Sequence, residues 1–398
     1  MADPGLLLSI VVPTKNRARC AIPMIRSILA LEGQAFELVI TDNSDDDALA
    51  DWVAGQPADP RLRYERVRGV VSMTGNCNRA IGLARGEYVI LIGDDDTVLP
   101  SILPACRWAS ENGVDALTPD LSIRYMWPDL RHRIFGMRQA GNVYLDPWPG
   151  TLTRADSGAE ALACVRRAGQ GMGRMANLYH GVVRRSVLEA LRERTGDYVH
   201  GVSPDVYTSL AITTQVRNQF HYAGPVAIPG SSGRSNSGRQ AVREHQGRLW
   251  DDPHMMPYVG ETWPPEIPEF FGIETVWAQA ALTACRKTGR DDLLRAFDFT
   301  RLYAICLVKH RRNLPEIRAA MAARNGGTVS TGQWVSLGLA VAAEVARFGW
   351  TTVKRMVRPT PRGWSLEYGP YEDVDRACLA LCERSPEAFT RFPSRYEG

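Results

Sequence analysis

Five consecutive apolar residues, Tyr88-Val89-Ile90-Leu91-Ile92, run through Gly93 into three carboxylates, Asp94-Asp95-Asp96. A continuous apolar run of this length, bounded by turn residues, is the pattern of a strand buried on both faces. The triplet then lies at the carboxyl end of that strand, with a glycine that lets the backbone come close to a ligand. A sheet holds a divalent cation against a phosphate in this way, so the expected ligand is a metal-bound nucleotide diphosphate.

Two further strands end in the same manner. Leu6-Leu7-Leu8-Ser9-Ile10-Val11-Val12 stops at Pro13 and gives way to the polar turn Thr14-Lys15-Asn16-Arg17. A helix is expected from about Ala21, with Pro23 in its first turn and Ile22, Ile25, Ile28 and Leu29 on one face. Phe36-Glu37-Leu38-Val39-Ile40-Thr41 ends in Asp42-Asn43-Ser44-Asp45. Residues 73–84 read as a helix that leads through Arg85-Gly86-Glu87 into the strand before the triplet. Strands and helices therefore alternate, which predicts a parallel sheet with helices on its faces and a ligand beyond the carboxyl ends of the strands. Thr14 to Arg17, Asp42 and the triplet all fall at that edge.

Taken in order, Ser9 to Arg17, Val39 to Ser44, Asn76 to Asn78, and Gly86 to Asp96 with Leu99-Pro100 resemble glycosyltransferase family 2 enzymes of the GT-A fold. The resemblance covers about residues 6–120, extends to about 250 and stops there. It implies an α/β fold, a Rossmann-like and mostly parallel sheet flanked by helices, followed by a mainly helical C-terminal region. It also implies that Asp42 contacts the base of a nucleotide sugar, most often uracil. Pro13, Thr14, Asn16 and Arg17 would line the nucleotide pocket, with Asn78, Asp94 and Asp95 also on the donor side. Asp94 and Asp96 would form the DxD element, Asp96 as the direct ligand of Mn2+ or Mg2+ and Asp94 nearer the ribose or a bound water. From the residues alone, Asp42 also suits an Asx turn or cap and Arg17 an exposed helix start.

The family's catalytic base comes from a later acidic motif. His180-Gly181-Val182-Val183-Arg184-Arg185-Ser186-Val187-Leu188 resembles the strand and helix that close its catalytic domain. Beyond lies Gly201-Val202-Ser203-Pro204-Asp205-Val206-Tyr207, where many relatives carry Glu-Asp and this chain has Pro204-Asp205. One carboxylate must take the proton of an acceptor hydroxyl, and Asp205 is the candidate. The competing structural reading is a cap of the helix that starts beside it. Asp197 is the alternative base, and His200 an alternative ligand for acceptor or phosphate. Residues 229–239, rich in Gly, Ser and Arg, suit either a lid whose Arg234 or Arg239 meets the diphosphate or an ordinary linker. Gln246-Gly247-Arg248-Leu249-Trp250 has the wrong order for the Gln-x-x-Arg-Trp box of processive family members.

Residues 1–255 are expected to form the catalytic domain, with a nucleotide-sugar half over about 1–120 and an acceptor half over about 121–255. Residues 256–398 are expected to form the helical region. A net charge of +3 on 398 residues is too small to argue for nucleic acid. The eight cysteines show no zinc spacing, which suits a reducing, cytoplasmic setting, and the start Met1-Ala2-Asp3-Pro4 lacks the basic opening of a signal peptide. Helices are expected over 275–287, 293–309 and 333–356. The last carries Trp334, Leu337, Val341, Val345, Phe348 and Val353 with Lys354, Arg355 and Arg358, while Glu344 and Arg347 make it a poor transmembrane span. It suits either the cytoplasmic face of a membrane or a packed core or homodimer contact.

The expected function is inverting, metal-dependent transfer of a sugar from a nucleotide diphosphate sugar, UDP-linked, to a hydroxyl of a glycan, lipid-linked or small-molecule acceptor. A nucleotidyltransferase would share the acidic strand end, but 13–17 lack the glycines its first loop needs. A non-catalytic nucleotide-sugar or glycan-binding module is the third class.

Overall fold

The first strand alternates between two cores. Leu8, Ile10 and Val12 join Met24, Ile25 and Ile28 of the following helix, while Val11 faces a separate cluster with Cys77, Ala80 and Ile81. Leu38 and Ile40 against Val39 repeat the split, as do Tyr88 and Ile90 against Val89 and Leu91. A sheet buried on both faces explains why these strands read as unbroken apolar runs. The computed structural model describes residues 5–132, 136–235, 248–252, 255–258, 263–357 and 365–393.

In chain order the strands are β1 Leu8–Thr14, β2 Phe36–Asp42, β3 Leu62–Arg66, β4 Tyr88–Leu91, β5 Thr97–Val98, β6 Ala116–Pro119, β7 Ile123–Met126, β8 Val143–Leu145, β9 Leu152–Arg154, β10 Val182–Arg184, β11 Gln219–Tyr222, β12 Ala227–Ile228, β13 Gly230–Ser231 and β14 Leu366–Tyr368. The main sheet has the order β3-β2-β1-β4-β10-β6-β11-β9. β10 runs antiparallel to β4 and β6, and β9 runs antiparallel to β11, while the rest are parallel. The mostly parallel sheet flanked by helices that the GT-A resemblance implies is thus present. A smaller sheet, β13-β7-β8-β14, stands beside it.

The N-terminal helices are α1 Ala18–Leu29, α2 Ala48–Ala54, α3 Met73–Leu83, α4 Ile102–Glu111, α5 Ser157–Arg166, α6 Arg185–Thr195 and α7 Pro204–Thr213. α1 begins at Ala18 rather than near Ala21, so Pro23 lies inside it and removes the donor that would meet the carbonyl of Arg19. At the opposite end of β1 from the polar turns, buried Glu37 accepts from Ser9 Oγ at 2.6 Å, from the Arg85 N–H at 2.7 Å and from Arg85 Nη2 at 3.0 Å. That carboxylate fastens β1, β2 and the turn before β4 together.

The expected division at residue 255/256 does not separate two cores. One cluster joins Val89 and Leu91 to residues of Ile273–Lys287, Phe299–Lys309 and Leu314–Arg324, and reaches Leu337. The other joins the first strands to Val374, Ala377, Cys378, Leu381 and Phe389. The expected helix over 293–309 is two, Asp291–Ala296 and Phe299–Lys309, because Asp298 caps the second by accepting from the Arg301 N–H. β14, a short strand in the mainly helical C-terminal region, pairs with β8 and returns the chain to the first core. No helix among the described residues is long and apolar enough to cross a membrane.

β13 runs alongside β7 and carries the chain across the end of β4. A Cβ on Gly230 would stand 1.8 Å from the Asp95 carbonyl oxygen and 2.9 Å from Trp127 Nε1, so only glycine fits there. Gly230→Ala is expected to push β13 off the triplet and to cost about 1–3 kcal/mol, as overpacking does. Urea unfolding reads this as a lower midpoint at unchanged slope. An unchanged midpoint would contradict the contact.

Candidate active site

Thr14, Asp42 and Asp94 lie at three neighbouring strand ends, tied to one another by hydrogen bonds. Thr14 Oγ1 donates to Asp94 Oδ2 at 2.6 Å, and Asn76 Nδ2 donates to the carbonyls of Thr14 at 3.3 Å and Thr41 at 3.1 Å. Asn16 takes a left-handed φ of 58°, donates from its backbone to Ser44 Oγ at 2.8 Å and exchanges side-chain bonds with Asp45. The polar turns after β1 and β2 are therefore one rigid rim.

Arg17 is not an exposed helix-start residue. Its guanidinium lies across the triplet, Nη1 2.8 Å from Asp94 Oδ1 and Nη2 2.7 Å from Asp95 Oδ2, and Nη2 also donates to Ser232 Oγ. Burial works against the Arg17 charge, yet Asp94 and Asp95 hold its pKa above the usual value. Ser232 donates to Asp95 Oδ2 from its N–H at 3.1 Å and its hydroxyl at 2.8 Å. Asp95 Oδ1 makes no hydrogen bond among the described residues.

Asp96, expected as the direct metal ligand, is the least suited of the three. Its Oδ2 accepts from the Gly93 N–H at 2.7 Å and the Tyr179 hydroxyl at 3.2 Å and stands 2.7 Å from His180 Nε2, while Oδ1 accepts from the Gly230 N–H at 2.7 Å. Donors from three chain segments fill its lone pairs, so a cation would have to displace them. Burial opposes its ionisation, but the His180 charge and these bonds hold its pKa below the usual value. Burial instead pushes Asp94 up to about 7, with Arg17 opposing and Asp95 adding to the rise, and it raises Asp95 as well.

The triplet is thus short of positive charge at Asp94 and Asp95. Those two carboxylates fit a divalent cation, whereas Asp96 fits a latch that joins β4, residues 179–180 and β13. Among the described residues no group of three His, Cys, Asp or Glu forms a complete metal cage, so other ligands would come from the bound molecule.

Asp42 is wholly buried with both oxygens in use. Oδ1 accepts from the Ser44 N–H at 2.9 Å, and Oδ2 accepts from the Tyr64 hydroxyl at 2.6 Å and pairs with Arg66 Nη1 at 2.9 Å. Direct contact with a base therefore needs one of these partners to leave. Pro13 sits half-buried at the β1 end. Asn78, expected on the donor side, spends its amide on the backbone of Val199, donating at 2.9 Å and accepting at 2.8 Å. Thr74 Oγ1 donates to the Gly201 carbonyl at 2.6 Å. α3 in this way fixes the chain that enters α7.

Asp205 occupies the first turn of α7, behind Pro204 at the helix start, where its charge suits the helix dipole. Its Oδ1 accepts from Ser203 Oγ and, at 2.9 Å, from the Val206 N–H. Oδ2 makes no hydrogen bond among the described residues. Tyr179, which donates to Asp96, has its ionisation suppressed by burial and then by the charges of Asp96, Asp95 and Asp205, so all three carboxylates lie within electrostatic range of one hydroxyl. Asp197 bonds its own neighbours, the Tyr198 N–H at 2.9 Å and Thr195 Oγ1 at 2.7 Å through its carbonyl. His200 packs edge-on against Tyr207 at 5.5 Å, and burial lowers its pKa. Arg234 is exposed just past Ser232, and Arg239, with Gln246 and Gly247, lies outside the described residues.

Tyr179, His180 and Ser232 were not singled out as site residues by sequence reasoning. The sequence signal for the first two was their place just before β10, which pairs with β4. His180 donates its backbone N–H to the Leu91 carbonyl at 2.9 Å and takes a φ of 67° that swings its ring over Asp96.

Residues 9–142 match the family model described as Glycosyl transferase family 2. The chain is 38% identical over 99 residues to the succinoglycan biosynthesis protein ExoO of Rhizobium meliloti, covering 24% of this chain and 27% of that protein. It is 36% identical over 105 residues to the putative colanic acid biosynthesis glycosyl transferase WcaA of Escherichia coli, covering 24% and 35%. It is 31% identical over 108 residues to the GalNAc(5)-diNAcBac-PP-undecaprenol beta-1,3-glucosyltransferase of Campylobacter jejuni, covering 27% and 35%. The matched stretch thus spans about a third of these relatives' lengths. The crystal structure of S. aureus TarS 1-349 in complex with UDP-GlcNAc aligns with a TM-score of 0.43 at 11% identity, covering 81% of this chain and 93% of that one. Residues 9–142, where the three strand ends and the acidic triplet lie, are thus the part of the chain that matches glycosyl transferase family 2.

Proposed function

We propose that the protein transfers a glycosyl unit from a nucleotide diphosphate sugar, UDP-linked, to a saccharide hydroxyl in glycan or polysaccharide biosynthesis, with inversion at the anomeric carbon. The observation that carries this reading is the pairing, in and just beyond a family 2 domain, of a charge-deficient carboxylate pair at the β4 end with the partly open carboxylate of Asp205. The names of the bacterial polysaccharide and undecaprenol-linked relatives support the acceptor class.

Each residue has a task in this scheme. Arg17 faces the leaving diphosphate and offsets its charge, moving from its ion pairs with Asp94 and Asp95 as the donor enters. Asp94 and Asp95 would hold Mn2+ or Mg2+, which when bound stabilises the diphosphate as it departs. Asp42 braces Tyr64 and Arg66, which together form the base side of the rim. Asp205 Oδ2 takes the proton of the acceptor hydroxyl while the acceptor oxygen bonds to the anomeric carbon and the bond to the diphosphate oxygen breaks. Ser203 and the Val206 N–H hold the other oxygen and so orient the base. One displacement from the face opposite the leaving group inverts the centre.

Asp205→Asn should leave donor binding within about twofold of wild type and lower turnover by about 100-fold or more, the range for a lost general base. Single-turnover transfer with product anomer analysis reads both. Near-normal turnover, or a product of retained configuration, would contradict the role, and loss in Asp197→Asn instead would move the base there.

The raised pKa of Asp94 sets a pH dependence. In the metal-free protein its folded value of about 7 exceeds the ordinary 3.8, so the stability it contributes is lost as pH rises through about 7. Cation binding needs the ionised form and must release that proton. Thermal stabilisation by Mn2+ with UDP should therefore grow as pH rises from about 6 to about 8, and Asp94→Asn should flatten the dependence. A pH-independent shift in the wild type would contradict the assignment.

A further inference from the structure

The helix Thr331–Val357 packs onto the body through one face and leaves the other apolar. Leu337 and Glu344 are buried against Phe299–Lys309, and Glu344 pairs with Arg301 at 3.1 Å and with Arg347. At 100° per residue the opposite face carries Val335, Gly338, Leu339, Ala342, Val345, Ala346, Gly349 and Val353, without one charged side chain over five turns. Leu339 is 70% exposed, Val335 59%, Val345 54% and Val353 53%. Trp334, 45% exposed, stands at one border of this arc. An outward helix face on a water-soluble surface is normally polar, so this one has an occupant.

We infer that the occupant is an anionic lipid surface, on which the helix lies with this face in the headgroup boundary. The arc is wider than the narrow seam of a helix pair, and Trp334 at its edge places an amphipathic ring where a membrane interface favours it. Charge is complementary as well: from Val345 to Leu366 the sequence holds five Lys or Arg and no Asp or Glu. Basic residues close in sequence to an apolar helix face favour anionic headgroups. The helix is not apolar enough to span, so the contact is peripheral. This surface stands on its own observations and does not require the donor or the base to be as assigned.

The test is co-sedimentation of the full chain with vesicles of phosphatidylcholine alone and of phosphatidylcholine with phosphatidylglycerol, paired with sedimentation velocity. The chain should pellet with the anionic vesicles and much less with the neutral ones. Leu339→Glu combined with Val353→Glu, both at exposed positions, should weaken this by at least about tenfold while circular dichroism stays unchanged. Failure to bind anionic vesicles, or equal binding by the double variant, would overturn the proposal. So would a vesicle-indifferent dimer that the double variant dissociates, which would give the face to a second copy.

Discussion

Three carboxylates buried side by side at the end of one strand would repel one another and resist ionisation unless the surrounding chain supplied compensation. The protein supplies it unevenly. Asp96 receives two backbone N–H groups, a tyrosine hydroxyl and a histidine. Asp94 and Asp95 share one arginine. The first arrangement is closed and locks β4 to residues 179–180 and β13. The second remains electrically incomplete once Arg17 turns to an entering anion, which is the state a divalent cation would relieve. The difference between neighbouring residues of the same type is set wholly by their partners.

The rest of the molecule serves that edge. Glu37 fastens the far ends of β1, β2 and the turn before β4, so the near ends cannot shift independently. α3 anchors the entry to α7 through Thr74 and Asn78, which fixes Asp205 relative to the sheet. The helices Ile273–Lys287, Phe299–Lys309 and Leu314–Arg324 pack on the α3 and α7 side, and Val374–Arg384 packs with α1 on the other. The two layers are what allow β1, β2 and β4 to be apolar throughout.

Much of this was legible in the sequence. Strands buried on both faces announce themselves as unbroken apolar runs, so β1, β2 and β4 and the polar clusters at their ends could be placed without coordinates. The role of Asp96 could not, because its donors come from residues 93, 179, 180 and 230 and only the fold brings them together. The partners of Asn78 and Asp42 were hidden for the same reason: Val199, Tyr64 and Arg66 lie 121, 22 and 24 positions away in sequence. Pro23 misled on the start of α1, since a proline in the second turn costs one hydrogen bond and packing on the sheet offsets it. That the C-terminal segment joins both cores was not legible, because a short amphipathic helix shows that it buries a face, not against which core.

The central claim is that the β4 end holds a nucleotide diphosphate through Asp94, Asp95 and a divalent cation. Calorimetric titration of the full chain with UDP, with and without Mn2+, measures it most directly, using wild type and an Asp94→Asn, Asp95→Asn double variant. The account predicts one UDP bound per chain, strengthened by Mn2+ in the wild type and indifferent to Mn2+ in the double variant. Absence of UDP binding in the presence of Mn2+, or equal Mn2+ dependence in the double variant, would contradict it.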